Sequence, residues 1–395
     1  MSKNPTLGIL TLYLNDRKSI EEKAMFQKLT AAGRKKGMDV VVFTPDDVED
    51  RTGRVYAHVY SPVKKIWGRQ WTRMPQIIYD RARYQKSSRF ERLLSFRRKY
   101  AHLIFLNRPL RNKWTIYRTL SGIPSLRDHL PTTRLYESPA DVAAMLKQHP
   151  TVYFKPINGT GGRGILRIDR RSDGLLLLQG RNHARAIVPR RIIRREQLPA
   201  LIRAWDRRGD RYIVQQGLQI KLPGGRVHDY RMLVQKNGQG EWVFTGCAGR
   251  VGPPNSITSN LHGGGTAVTM ESLLREWIES EDQIAQIREN AETFGIEVAA
   301  TLEKTYGTLC ELALDLAIDR SGRIWLLEVN PKPAREVFVR AGEAEVYQRA
   351  LSLPIEYALW TYRRHQEGAG SDSKPGSGHK PDAGREPPED QPTTD

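Results

Sequence analysis

The sequence predicts an α+β protein in which a small α/β unit precedes a larger, mainly antiparallel body. Three observations carry this. An apolar strand, an amphipathic helix and a second apolar strand open the chain with short connections, the pattern of a parallel sheet. Between 152 and 248, six runs of strand-like residues alternate in polarity and are punctuated by turn residues such as Asn237-Gly238, which mark hairpins. From about 366 the composition changes to Gly, Pro, Ser, Asp and Glu with no periodic apolar face, so that segment is expected to stay disordered.

Residues 7–14 form the first strand, 19–36 a helix with Ile20, Ala24, Phe26, Leu29 and Ala32 on one side, and 38–43 the second strand. Only Lys3 precedes the 7–14 run and a charged segment follows it, so it reads as a strand, not a signal h-region. A basic, Trp-containing stretch (Lys64, Lys65, Trp67, Arg69, Trp71, Arg73) leads to a further strand at 76–79. Residues 1–108 are taken as one domain. A helix from Asn112 and another over 139–148 begin the body. Strands are expected at 152–156, 165–169, 175–179, 212–222, 230–235 and 241–248. A long helix over 271–306 then precedes strands at 312–318 and 324–329 joined by the turn Asp319-Arg-Ser-Gly322. The body spans 109–365 and the disordered tail 366–395.

The 395 residues are 39% hydrophobic, enough for a real core, and carry a net charge of +19. The last thirty residues hold seven acids and three bases, so the rest carries +23. Such an excess points to polyanionic partners, whether nucleic acid bound without sequence preference, a membrane surface, acidic polymers or phosphorylated ligands, the alternative being a charge that serves solubility alone. Two cysteines, Cys247 and Cys310, are too few for a disulfide framework or a structural zinc site and fit a reducing cytoplasm. No run approaches the roughly 18 apolar residues of a spanning helix, so no membrane association is expected.

Three segments carry chemistry. Val152-Tyr-Phe-Lys-Pro-Ile157 is followed by Asn158-Gly-Thr-Gly-Gly-Arg-Gly164 and then Ile165-Leu-Arg-Ile168. Gly159, Gly161, Gly162 and Gly164 fit G-x-G-x-x-G, but a dinucleotide fingerprint needs a helix after the loop. Here a strand follows. A strand–glycine loop–strand hairpin can cover a polyphosphate with backbone N–H groups while Lys155 adds a point charge; the alternative is a plain hairpin. The second segment is Glu311-Leu-Ala-Leu-Asp315 with Glu328-Val-Asn330. A hairpin about 320–322 brings Asp315 to Glu328 and puts Asn330 on the face of Glu328. These are hard oxygen donors suited to Mg²⁺ against phosphates, although strand carboxylates also pair with arginines. The third is Tyr212-Ile-Val-Gln-Gln-Gly217, then Asp229-Tyr-Arg231, Cys247-Ala-Gly-Arg250 and Ser259-Asn-Leu-His-Gly-Gly-Gly265. Arginines on strands facing a phosphate site stabilise developing charge.

In this order the segments resemble the ATP-grasp superfamily over 112–335, and within it the YheC/YheD group of endospore-coat-associated proteins, whose habits Ile78-Tyr-Asp-Arg81 and Asn112-Lys-Trp114 also match. The resemblance implies two α+β subdomains gripping ATP. It implies that Lys113 and Lys155 contact the phosphates, Gly159–Gly164 form a mobile lid, and Gln215, Gln216, Gly217 and Leu218 form the adenine hinge. Arg231 and Arg250 would steady the transferred phosphoryl group, and Asp315, Glu328 and Asn330 would hold Mg²⁺. Many relatives have a carboxylate at the position of Gln215-Gln216, and an arginine follows the histidine of Asn260-Leu-His262 where this chain has glycine. The implied function is an ATP- and Mg²⁺-dependent carboxylate–amine or carboxylate–thiol ligase working through an acyl phosphate on an unidentified carboxylate-bearing acceptor. The implied location is the cytoplasm of the sporulating cell or the spore coat. The alternative is a non-catalytic, ATP-binding coat or morphogenetic protein with other coat proteins as partners.

Overall fold

A computed structural model describes residues 4–371 except 86, 159–162, 185, 207–210, 255, 257, 260 and 262–263, with 368–371 described as backbone only. The first unit comprises β1 (Thr6–Leu10), α1 (Lys23–Lys35), β2 (Asp39–Phe43), β3 (Val48–Glu49), β4 (Arg54–Ser61), β5 (Ile66–Arg73), β6 (Ile77–Asp80), α2 (Ser88–Lys99) and β7 (Ile104–Phe105). Its sheet runs β3-β4-β2-β1-β6-β7, with β5 paired to β4. β1 lies parallel to β2 and β6, and β6 parallel to β7. The near-continuous apolar runs of β1 and β2 are buried on both faces, as central parallel strands require.

The second unit comprises α3 (Lys113–Ser121), α4 (Pro124–Arg127), β8 (Thr133–Leu135), α5 (Pro139–Gln148), β9 (Thr151–Pro156), β10 (Ile165–Arg170), β11 (Leu176–Arg181), β12 (Ile187–Ile193), α6 (Leu198–Trp205) and β13 (Tyr212–Gln216). The six strands, ordered β12-β11-β10-β9-β13-β8, are all antiparallel. Period-2 alternation gives the sheet an apolar face of Phe154, Leu166, Ile168, Leu178 and Val214, packed with Val142 and Met145 of α5 and Ile202 of α6. Tyr153, Lys155, Arg167 and Gln179 fall on the other face.

The third unit comprises β14 (His228–Lys236), β15 (Trp242–Val251), β16 (Thr266–Thr269), α7 (Met270–Leu274), α8 (Glu281–Tyr306), β17 (Glu311–Ile318), β18 (Ile324–Asn330), α9 (Glu336–Arg340) and α10 (Ala344–Ser371). Its antiparallel sheet is ordered β16-β15-β14-β17-β18. Tyr230, Met232, Val234, Leu314 and Leu316 share a core with Ile284, Ile287, Phe294 and Val298 of α8. The opposite face of β14 and β17 presents Gln235, Leu233 and Arg231 beside Glu311, Ala313 and Asp315, matched pair by pair.

That second face does two jobs. Its Glu311 end docks the first unit through fully buried ions. Arg81 Nη1 donates to Glu311 Oε1 at 2.6 Å, Gln235 Nε2 to Oε2 at 3.1 Å, and Tyr79 Oη and Arg335 Nη2 also donate to this carboxylate. Arg81 reaches on to Glu22 at 2.9 Å and Pro333 O at 3.1 Å. Around this centre, Leu7, Ile9, Phe26 and Leu29 form one apolar cluster with Leu233, Ala248 and Leu351, Ile355 and Tyr357 of α10. The first unit's core is therefore completed by α10, the last helix among the described residues.

Several elements depart from expectation. The basic stretch after residue 53 is the β4–β5 hairpin, in which Tyr56 pairs with Trp71 and Tyr60 with Trp67; arginines between the aromatics hide the strand period. The expected 271–306 helix is two helices, because Ser280 Oγ accepts from Gln283 N at 3.2 Å and starts a new one. The expected 212–222 strand stops at Gln216, where Gly217 passes so close to Thr151 that a Cβ would lie 2.3 Å from its methyl group. α10 continues to Ser371, beyond the composition change at 366; extending an existing helix needs no new nucleus. Residues 372–395 of the expected tail lie outside the described residues. Cys247 and Cys310 are free and buried, and among the described residues no helix is long and apolar enough to cross a membrane.

Glu311→Gln should lower unfolding free energy by about 3–5 kcal/mol, the usual cost of stranding buried charged partners. Urea unfolding followed separately by the Trp67/Trp71 and Trp325 environments should show both transitions moving together, since the network belongs to both units.

Candidate nucleotide site

The polar faces of the second and third sheets carry the candidate residues. On the third sheet, register places Ala248, Arg231, Asp315 and Glu328 in one transverse row across β15, β14, β17 and β18. Arg231 Nη2 donates to Asp315 Oδ2 at 3.0 Å, and its Nε to Oδ1. Two residues along, Arg250 donates to Asp229 at 2.8 and 2.6 Å and sits 3.1 Å from Asp315 Oδ2. Asp229, Arg250, Asp315 and Arg231 thus form a continuous, mostly buried chain of alternating charge. Burial pushes the Asp315 carboxyl up, but Arg231 and Arg250 outweigh it and hold it below the ordinary carboxylate range.

Lys113 and Lys155 meet this row from the second unit. Asn112 caps α3, accepting from Thr115 N at 3.0 Å, and Lys113 N donates to Ile157 O at 3.3 Å, tying the start of α3 to the end of β9. Lys113 Nζ lies 3.4 Å from Glu328 Oε1. Lys155 Nζ donates to Gln215 Oε1 at 2.7 Å. Its pKa falls to about 8, chiefly through burial; Glu328 and Asp315 oppose the fall and Lys113 adds to it. Two lysines, one from α3 and one from β9, and two carboxylates from the third sheet therefore share one electrostatic neighbourhood.

Gln215 also donates to Thr133 Oγ1 at 3.0 Å, while Gln216 Oε1 accepts from Thr132 N at 3.1 Å. The amides of the expected hinge thus bond to Thr132, Thr133 and Lys155. Gly217 N donates to Thr151 O at 2.8 Å, and Leu218 follows half-buried. Gly159, Gly161 and Gly162 of the expected lid lie outside the described residues, as do Asn260 and His262. Gly164 is in the left-handed region at φ +65° and is held by Asn182 O and Trp205 Nε1. The sequence reading passed over the partnership of Asp229 with Arg250. The alternation Asp229-Tyr-Arg231 put both charges on one face, but only the β14–β15 register shows which arginine each carboxylate meets.

The donors fit Mg²⁺. Asp315 and Glu328 are direct cross-strand partners and Asn330 is on the same face as Glu328, which groups two carboxylates and an amide oxygen, the hard oxygen donors Mg²⁺ takes. Among the described residues no three His, Cys, Asp or Glu side chains form a self-sufficient metal cage. Mg²⁺ ordinarily takes only one or two carboxylates and completes its shell with phosphate oxygens and water.

A model of the YheC/D-like ATP-grasp family matches residues 102–360. The chain belongs to this family. It is 29% identical over 343 residues to the endospore coat-associated protein YheC of Bacillus subtilis (strain 168), covering 84% of this chain and 90% of the relative. YheD of the same strain is 25% identical over 365 residues, covering 90% and 78%. Among solved structures, D-cycloserine synthetase DcsG superposes with a TM-score of 0.52 at 14% identity, covering 89% of this chain and 99% of that one. The fold is that of an ATP-grasp protein.

Two outcomes follow for the site. Arg250→Ala strands Asp229 in the interior and leaves Asp315 with Arg231 alone, so it should cost about 3–5 kcal/mol in chemical denaturation, not simply remove a surface charge. Lys155 is charged below pH 8 and loses its proton above it. ATP affinity measured by calorimetry should therefore hold below pH 8 and fall as pH rises, by at most about tenfold per unit, and Lys155→Met should abolish that slope.

Proposed function

We propose that this chain is an ATP- and Mg²⁺-dependent carboxylate–amine or carboxylate–thiol ligase. The observation that carries the reading is the convergence of Lys113 at the start of α3 and Lys155 on β9 with Asp315 and Glu328 on β17 and β18. Lys113 and Lys155 neutralise the phosphates of ATP and orient them. An acceptor carboxylate oxygen attacks the γ-phosphorus, an O–P bond forms, and ADP leaves with the β,γ-bridging oxygen. An amine or thiol then attacks the acyl carbon, loses its proton, and phosphate departs with the C–O electron pair. Asp315, Glu328 and Asn330 would hold Mg²⁺, which when bound offsets phosphate charge. Arg231, fixed to Asp315 through its Nε and one Nη, stands within the same row, and its other Nη would stabilise charge developing on the transferred group. The cell context is sporulation, with coat proteins as the partners, by likeness to the YheC and YheD proteins.

A second reading, a nucleotide-binding coat scaffold without turnover, is favoured by one feature. Arg250, the arginine placed at the phosphoryl group by resemblance, has its Nε and one Nη committed to Asp229 and Asp315.

Phosphate release from ATP, screened with mixed amino acids, short peptides and dicarboxylates, separates the two. A ligase releases phosphate only with Mg²⁺ and an acceptor. Glu328→Gln, with its side chain at the partly open end of the row, should keep the fold and lose turnover by about a hundredfold, the scale of removing one charge-stabilising group. ATP binding without phosphate release across the whole acceptor set would decide for the scaffold.

A further inference from the structure

A cavity of about 350 Å³ lies against the second sheet, lined by Gln179, Arg181, Ile187, Pro189 and Arg190 and, from the segment between β15 and β16, Ser256. Its size is within the usual range for small-ligand sites. Arg181 is the unusual member. It is only 8% exposed, yet among the described residues its guanidinium has no ion pair or hydrogen bond. The other deeply buried arginines among the described residues are all paired: Arg81 and Arg335 with Glu311, and Arg250 with Asp229. A largely covered guanidinium that opens on a cavity and has no counter-charge in contact is a ready partner for a ligand anion.

Register fixes where this group points relative to the nucleotide residues. Arg181 pairs with Ile165, whose neighbour Leu166 pairs with Phe154, so Lys155, Ile165 and Arg181 fall in one row across β9, β10 and β11. Period 2 puts Lys155 and Arg181 on the same face, the one turned away from α5 and α6. At two strand spacings they are roughly 10 Å apart along the backbone, which separates an acceptor-sized group from the phosphates without leaving the cleft. Ile187 pairs with Arg181 across β12, and with Pro189 it gives the cavity an apolar wall. A bare phosphate has no use for that wall. A carboxylate on a short apolar stem uses both the fork of Arg181, bidentately, and the wall.

We infer that Arg181 and the Ile187–Pro189 wall form the subsite that holds the acceptor, recognising a carboxylate attached to an apolar group. This rests on the ligase reading for its place in the reaction, but not for the anion site itself.

The test is calorimetry on the full chain with Mg²⁺ and a non-hydrolysable ATP analogue, using N-acetyl-leucine, glutarate and inorganic phosphate as separate probes. A carboxylate probe should bind wild-type protein, and Arg181→Gln should weaken it by tenfold or more while the analogue's affinity stays within twofold. Arg181→Lys, which keeps the charge but not the fork, should fall between, and thermal unfolding checks that both variants fold. The inference is overturned if no carboxylate probe binds, if binding is indifferent to Arg181, or if phosphate alone depends on it. It is also overturned if Arg181→Gln weakens the nucleotide analogue tenfold, which would make Arg181 a nucleotide contact. Absence of phosphate release in the acceptor screen sinks the ligase reading separately, and leaves an Arg181-dependent carboxylate affinity standing.

Discussion

Everything in the third unit depends on how one face of β14 and β17 is divided. Glu311 and Asp315 are four residues apart on the same strand and the same face, and each is a carboxylate held by two arginines. Glu311 is sealed among Arg81, Arg335, Tyr79 and Gln235 and fastens the first unit and α10 to the sheet. Asp315 lies where that cover ends and faces the cleft. Because β17 is stiff and fully paired on both edges, fixing Glu311 also fixes where Asp315 stands. The cost of burying four ions at the junction is thus tied to the placement of a row of charges at the candidate site.

The electrostatics of the cleft follow from the same economy. Lys155 is desolvated enough for its pKa to fall to about 8, so it is a weakly held cation that an anionic ligand would recharge. Arg231 and Arg250 are the reverse: their charges are locked to Asp315 and Asp229. The basic residues near this site are therefore of two kinds: structural arginines already neutralised inside the fold, which add nothing to the net charge, and lysines able to meet phosphate.

Much of this was legible in the chain. The β-α-β opening, the pairing of 152–156 with 165–169, and the hairpin that joins Asp315 to Glu328 all come from period-2 patterning and turn residues, which act over a few residues and need no knowledge of the rest. The residue types able to handle phosphate and Mg²⁺ were visible for the same reason. What local pattern misread were elements defined by a neighbour: β4–β5, whose aromatic rungs are interrupted by arginines; the break before Ser280; and α10, which is apolar on the side that completes a core begun three hundred residues earlier.

The sequence by itself determined the layer types, most of the strands and helices along the chain and the inventory of charged side chains, because these depend on periodicity and residue chemistry. Only the tertiary structure decided which charges meet. Whether an arginine is neutralised, as Arg250 is by Asp229, or left facing a cavity, as Arg181 is, depends on strand register and on distances of a few ångströms between segments far apart in the chain. Coulomb and desolvation energies change steeply over just those distances, and no local pattern encodes them.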